Sequence, residues 1–247
     1  MKTLRNLFAV LIVTLYLTGG CSGPGSGGEK ASNSKAGQTV TVQADQAGTP
    51  PQLVISGDTI KISGSKSGEV TFPAKQGGYL INYRYKGDGL KLEAESPLGK
   101  MNLVPGSQLP GADGWTAFTD LTSFFNSGDQ SYQVTATEPY EIEFVKLPLS
   151  RAADPLPKTY SGKGMTVIGP FSLKAGSVSF KVTCPDLKMA GFIAELYDDN
   201  GKSKGMIAMG TGPSVDETKK LEVPSSGAYL TKVTANSQAE WTIEVTQ

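Results

Sequence analysis

Residues 71–85, TFPAKQGGYLINYRY, and residues 170–184, PFSLKAGSVSFKVTC, carry one pattern twice, 99 positions apart. In both stretches phenylalanine, lysine and glycine stand at matching places, and apolar residues then follow at every second position. These alternating residues are Tyr79, Ile81, Tyr83 and Tyr85 in the first copy and Val178, Phe180, Val182 and Cys184 in the second. Because successive side chains of a strand point to opposite faces, this alternation predicts strands with one buried face.

The likeness between the two halves extends to the end of the chain. The tripeptide VTA occurs at 134–136 and again at 233–235, and a similar apolar alternation closes each half. Its members are Tyr140, Ile142 and Phe144 in the first half and Trp241, Ile243 and Val245 in the second. Many short alternating runs broken by turn residues are typical of β-sandwiches. We therefore predict an all-β fold of two tandem antiparallel β-sandwich modules, at 39–147 and 158–247.

The borders of the two modules differ. Residues 39–63 contain further alternating runs, so we expect extra N-terminal strands that complete the first module or cover one of its edges. Residues 148–157 include Pro148, Pro155 and Pro157. Because proline restricts the backbone, this segment is predicted to be a short, semi-rigid connector between the modules.

The composition excludes several kinds of function. The 247 residues include 23 Lys and Arg and 23 Asp and Glu, which leaves no basic excess for general nucleic-acid binding. The chain has no histidine. Ser-His-Asp and Cys-His catalysis and histidine-ligated zinc are therefore excluded, and we expect no cofactor and no metal.

The first residues have the form of a secretion signal. Lys2 and Arg5 precede an almost wholly apolar stretch at 7–17, which is too short to span a bilayer comfortably and fits a signal-peptide core. Thr18, Gly19, Gly20 and Cys21 follow. This order resembles the lipobox of bacterial lipoproteins, although Leu17 stands one place before the family's usual leucine. An ordinary secretory signal with an incidental cysteine is the alternative.

The lipoprotein resemblance implies removal of a signal peptide at 1–20 and acylation of Cys21 with diacylglycerol and a further acyl chain. Residues 21–38 are rich in glycine and serine, which predicts a flexible tether. The expected partner of Cys21 is the membrane, because two or three acyl chains anchor a protein stably. The expected location is the cell membrane or the outer membrane, facing outside the cytoplasm.

The last two predicted strands of the chain carry a second resemblance. They are similar to the closing strands of small jelly-roll modules in bacterial surface proteins, including carbohydrate-binding and galactose-binding-like domains. The residues concerned are Gly227, Tyr229, Val233, Ala235, Trp241, Ile243 and Val245. The resemblance implies a jelly-roll fold and a binding role, but folds of this kind serve many functions.

One aromatic segment occurs in the first module only. It contains Trp115, Phe118, Phe124 and Phe125, whereas the matching stretch of the second module, 209–226, has no aromatic residue. Because binding loops diverge between repeats while core positions are kept, these four aromatic residues are the candidate ligand-binding site. The alternative is that Trp115 and Phe118 form another strand and that Phe124 and Phe125 fill the end of the core or the interface between the modules.

For four other groups of residues, a structural role is favoured over a role in binding or catalysis. The tyrosines at 79, 83 and 85 match Val178, Val182 and Cys184, so we expect them in the core rather than on a sugar-binding platform. Cys184 then is a buried thiol with no histidine to activate it. Residues 198–201, DDNG, predict a turn rather than a calcium loop. Glu141 and Glu143 alternate with apolar residues, which places them on a solvent-exposed face.

These observations leave three classes of function. The first is a lipid-anchored envelope protein that binds a glycan, a cell-wall polymer or a protein partner without catalysis. The second is a structural or assembly subunit of an envelope complex. The third is a histidine-independent hydrolase, but the sequence contains no nucleophile elbow, phosphate loop or zinc spacing. We therefore expect a binding protein rather than an enzyme.

Overall fold

Every regular element in the described chain is a β-strand, which confirms the all-β prediction. The computed structural model describes residues 48–87, 89–96, 99–104, 110–124, 127–187 and 191–247. The predicted signal peptide, the tether and Cys21 lie outside these ranges. Within them, no helix has the length and apolar character needed to cross a membrane.

The strands follow one another at short intervals, as the frequent turn residues predict. In the described ranges they are β1 (Gln52–Ser56), β2 (Thr59–Gly64), β3 (Gly68–Ala74), β4 (Gly77–Lys86), β5 (Lys91–Ser96), β6 (Gly99–Asn102), β7 (Trp115–Phe124), β8 (Gly128–Thr135), β9 (Tyr140–Lys146), β10 (Lys158–Lys163), β11 (Thr166–Leu173), β12 (Gly176–Cys184), β13 (Phe192–Asp198), β14 (Ser203–Gly210), β15 (Val215–Val223), β16 (Gly227–Thr234) and β17 (Glu240–Thr246).

The described strands form four antiparallel sheets that pair into two sandwiches. In the first sandwich the sheet orders are β1-β2-β9-β4-β7 and β3-β8-β5-β6. In the second they are β10-β17-β12-β15 and β11-β16-β13-β14. Strands β2 to β9 and strands β10 to β17 therefore follow the same path, which is the jelly-roll arrangement of two four-stranded sheets. Strand β1 is an addition that pairs with β2 at the edge of the first sandwich.

Alternation along the paired strands builds two separate cores. On β4 the side chains of Tyr79 and Tyr83 are buried, and on β12 those of Phe180 and Cys184 are buried. Each sandwich has its own apolar cluster, with Phe72 in the first and Phe171 at the matching position of the second. Full burial of one large apolar side chain contributes about 1.5–3 kcal/mol. Burial also raises the pKa of Tyr83 above its ordinary value.

The connector lies along the edge of β11. The Asp154 N–H donates to the Pro170 carbonyl at 2.8 Å, and the Ser172 N–H donates to the Asp154 carbonyl at 3.0 Å. The Tyr160 hydroxyl donates to Asp154 Oδ2 at 2.9 Å. These bonds attach the connector to the second sandwich. The connector therefore allows little movement of one sandwich relative to the other.

The two sandwiches belong to one compact unit and meet along β7. The Val167 N–H donates to Thr119 Oγ1 at 2.7 Å, across the junction. Lys232 Nζ lies 2.5 Å from Asp120 Oδ1, and both side chains are largely buried. Met165 of the second sandwich packs into the apolar cluster of the first. The junction thus combines polar bonds with apolar packing, which holds the sandwiches in one orientation.

The DDNG turn joins β13 to β14, as the sequence predicts. Asp198 Oδ1 accepts the backbone N–H groups of Asn200 and Lys202 at 3.0 and 2.9 Å, and Lys204 Nζ lies 2.8 Å from Asp198 Oδ2. Burial alone would raise the pKa of Asp198, but these donors outweigh it and lower the pKa below its ordinary value. The carboxylate therefore stabilises the turn.

Candidate functional site

A cleft of about 470 Å³ opens between the two sandwiches, and we call it the inter-sandwich cleft. One wall comes from the first sandwich and the other from two turns of the second. The side chains that give it chemical character are Arg84, Asp113, Trp115, Lys163, Ser237 and Gln238. Ligand sites occur preferentially at such interfaces between folded units.

Strand pairing explains why Trp115 faces the cleft. In the register of β7 with β4, Trp115 lies opposite Lys86, and Thr116 lies opposite Tyr85. Thr116 and Phe118 are buried, so Trp115 and Ala117 point away from the core. Trp115 is half-buried on the outer face of the sheet.

The turn before β7 is held by its own hydrogen bonds. The Gly111 N–H donates to the Trp115 carbonyl at 2.7 Å, and the Trp115 N–H donates to Asp113 Oδ1 at 3.1 Å. Gly114 has a φ of 75°, a conformation that glycine adopts without the strain that other residues would suffer. Trp115 is therefore presented by a well-bonded turn and a strand rather than by a loose loop.

Two cations lie close to the Trp115 ring. The Arg84 guanidinium carbon is 4.1 Å from the ring centroid, and Lys86 Nζ is 5.3 Å from it. Both distances are within the range of cation–π attraction. Trp115 also borders a second concavity of about 360 Å³ that includes Glu141, so its side chain separates two depressions on the same face.

The opposite wall of the cleft consists of two turns that are tied together. The Gly164 N–H donates to the Ala239 carbonyl at 3.0 Å, which joins the turn that follows Lys163 at the end of β10 to the turn containing Gln238. The indole N–H of Trp241 donates to the Gly164 carbonyl at 2.9 Å from within the core. This wall is consequently supported by buried structure and is preformed.

Of the three predicted site residues that the structure describes, Trp115 lines the cleft, whereas Phe118 and Phe124 do not. Phe118 stacks on Tyr83 with ring centroids 4.7 Å apart, and Phe124 meets Tyr79 at 4.8 Å. Phe118 and Phe124 are 6% and 7% exposed in the core of the first sandwich, which leaves them no free ring face for a ligand. Trp115 and Phe118 both belong to strand β7, as the alternative predicts, and Phe124 packs in the core. Phe125 lies outside the described residues.

Sequence reasoning missed most of the polar residues of the cleft. Arg84 had a detectable signal, because it stands between two core tyrosines of β4 and must face outward. Lys163, Ser237 and Gln238 had none, since turns of the second sandwich approach Trp115 only after the two lobes dock. Their role cannot be deduced from spacing along the chain.

The described residues contain no group of three histidine, cysteine, aspartate or glutamate side chains that could hold a metal ion. Cys184 is buried, and burial raises the pKa of its thiol. Glu141 is engaged by Lys61 Nζ at 3.2 Å, so this strand-face carboxylate takes part in a surface ion pair.

No protein-family model and no curated protein matches the chain. Among solved structures, it is similar to the tandem CBM22 domains of Xyn10C from Paenibacillus barcinonensis, with 11% identity, a TM-score of 0.25, and coverage of 87% of this chain and 99% of that one. It is also similar to a cupin 2 conserved barrel domain protein from Leptotrichia buccalis, with 13% identity, a TM-score of 0.22, and coverage of 83% and 91%.

Proposed function

We propose that this chain is a non-catalytic binding protein of the cell envelope, and that its inter-sandwich cleft binds a glycan or cell-wall polymer. The observation that supports this most is the position of Trp115, half-buried on a rigid strand at the border of a preformed cleft. An indole face stacks well on the apolar face of a sugar ring or on a partner side chain. Preformed geometry favours affinity, because few groups must be ordered on binding.

The chemistry of the cleft supports binding without catalysis. Among the described residues that line it, Asp113 is the single carboxylate. Glycoside hydrolysis commonly requires two carboxyl groups that flank the bond to be cleaved. Asp113 is moreover occupied by the backbone N–H of Trp115. The lining therefore resembles a recognition surface more than a pair of acid and base groups.

Replacing Trp115 by alanine is expected to raise the dissociation constant of a bound glycan about 30-fold, since buried aromatic contacts at binding sites contribute about 2 kcal/mol or more. The free energy of unfolding should change by less than about 1 kcal/mol, because the ring lies outside the core. A glycan array followed by calorimetry with the best binder measures the first quantity, and urea denaturation measures the second.

Met209→Ala is the control for Trp115→Ala, because it truncates an exposed apolar side chain of the second sandwich. It should bind glycans as the unmodified protein does. A loss of several kcal/mol in the Trp115 variant would instead mean that this ring stabilises the fold, and unchanged glycan binding would exclude the cleft as the site.

We further propose that the protein is held at the membrane by acyl chains on Cys21. The support is the sequence of the leader, with its apolar stretch and small residues before the cysteine. Mass spectrometry of the mature protein from its native membrane should find an acylated cysteine at the amino terminus. Cys21→Ser should release the protein from the membrane fraction, and an unmodified product that remains membrane-bound would contradict the anchor.

A role as an assembly subunit is the second candidate function. It is favoured by three exposed apolar side chains on β13 and β14: Ile193, Met206 and Met209. Ile193 lies opposite Met209 in the strand register, so at least two of them form a contiguous patch. Glycan binding that depends on Trp115 would distinguish the first candidate from this one.

A further inference from the structure

Positive charge reaches the inter-sandwich cleft from both of its walls. Arg84 contributes from the first sandwich and Lys163 from the second, and Lys86 lies beside the Trp115 ring. The Arg84 side chain is 48% exposed, so a ligand in the cleft can reach it. Two carboxylates offset part of this charge: Asp113 lines the cleft and accepts the Trp115 N–H, and Glu141 lies 3.8 Å from Arg84 and 3.2 Å from Lys61. The balance of available charge favours an anion.

The Arg84 guanidinium is oriented but has unused donors. Its stacking on the Trp115 ring at 4.1 Å restricts its position. Its NH1 atom lies 3.8 Å from Glu141 Oε1, which is longer than a hydrogen bond. Glu141 is closer to Lys61, at 3.2 Å. Within the described residues, no protein acceptor takes a hydrogen bond from this guanidinium.

An oriented guanidinium with unused donors is suited to a planar carboxylate or a phosphate. Arginine presents paired N–H groups that bind the two oxygens of such a group at once, and these charge-assisted bonds are about twice as strong as neutral ones. A neutral sugar on Trp115 would partly desolvate Arg84, whose nearest carboxylate, Glu141, lies 3.8 Å away and is shared with Lys61, and this desolvation is unfavourable. The ligand that satisfies both residues combines an apolar face with an anionic group.

We propose that the inter-sandwich cleft recognises an anionic glycan or polyol polymer, whose carboxylate or phosphate group pairs with Arg84 while an adjacent unit packs on Trp115. This inference rests on the proposed function and specifies the chemical class of its ligand. Lys163 attracts the same anionic chain from the opposite wall. A ligand of this class would contact both sandwiches at once.

The experiment uses the full chain and three polymers as probes: polygalacturonate, poly(glycerol phosphate) and neutral dextran. We expect one or both anionic polymers to bind, with affinity that falls as salt rises from about 50 to 500 mM, and dextran to bind at least tenfold more weakly. Arg84→Gln should raise the dissociation constant about tenfold or more. Arg84→Lys should restore only part of the affinity, because an ammonium lacks the paired donors.

Lys219→Gln is the matched control, since it removes one positive charge from an exposed position of β15. It should bind as the unmodified protein does. Binding of only polygalacturonate or only poly(glycerol phosphate) identifies the anionic group and supports the proposal. Equal binding of dextran, an unaffected Arg84→Gln variant, or binding of none of the three polymers overturns the anionic class. The proposed function fails separately, if Trp115→Ala leaves binding to a glycan array unchanged.

Discussion

Replacing Trp241 by alanine is expected to lower the free energy of unfolding by about 3–5 kcal/mol, the usual cost of truncating a large buried aromatic side chain. Trp241 is 2% exposed in the core of the second sandwich, where β17 pairs with β10 and β12. An added Cβ at Gly162 of β10 would lie 2.4 Å from the Trp241 ring. The indole therefore packs directly against the backbone of this glycine.

The loss of Trp241 also removes a support of the cleft. Its indole N–H donates to the Gly164 carbonyl, between Lys163 and Met165 of the cleft wall. Trp241→Phe keeps most of the buried area but loses this bond. The free energy of unfolding of this variant should therefore lie between those of Trp241→Ala and the unmodified protein. The unpaired Gly164 carbonyl is expected to account for about 1–3 kcal/mol of the stability difference between Trp241→Phe and the unmodified protein.

Trp115→Ala is the matched control, because Trp115 and Trp241 are the two tryptophans of the sequence. The substitution of tryptophan by alanine should lower the free energy of unfolding strongly at position 241 and hardly at all at position 115. Urea denaturation followed by far-ultraviolet circular dichroism measures both without relying on tryptophan fluorescence. Equal losses in the two variants would contradict the assignment of one residue to the core and the other to the site.

Replacing Gly78 by leucine is expected to weaken the docking of the sandwiches and abolish binding in the cleft. A Cβ at Gly78 would lie 2.5 Å from the backbone carbonyl oxygen of Asn200 in the second sandwich. On the other side of this contact, Gly201 has a φ of 79°, and a Cβ there would lie 3.1 Å from Gly78 Cα. Because backbone meets backbone, no side-chain movement can relieve the clash.

The expected cost of Gly78→Leu is about 1–3 kcal/mol, as for other overpacked sites. Calorimetry should show a lower melting temperature, and one transition should split into two as the sandwiches uncouple. Gly227→Leu is the control, because no atom lies within 4 Å of an added Cβ at that position. Unchanged melting and unchanged glycan binding in the Gly78 variant would show that this glycine contact does not hold the cleft together.

The fold was predictable because two copies of one pattern constrain each other. Tyr83 alone could face a ligand or a core, but its counterpart Val182 could only face a core, and both are buried. The same comparison assigned Trp241 and its partner Tyr140 to buried positions. Period-two alternation is a local property of strands, so it can be recognised without knowledge of the tertiary structure.

The aromatic segment of β7 was predictable only in part. Trp115 and Phe118 are an odd number of residues apart, so in one continuous strand they must face opposite sides of the sheet. Phe118 and Phe124 share one side for the same reason. Which side is the core depends on the pairing of β7 with β4, and that pairing joins residues distant in sequence.

From its sequence alone, this protein is an all-β chain with two related sandwiches, and the buried face of most repeated strands follows from alternation. Only the tertiary structure brings Arg84 and Trp115 together with Lys163 and Gln238 into one cleft. The docking that creates this cleft depends on a few specific contacts, such as Val167 with Thr119 and Lys232 with Asp120. The residues that make these contacts do not recur at regular intervals in the sequence. Periodic patterns, which predict the strands, therefore cannot predict the contacts.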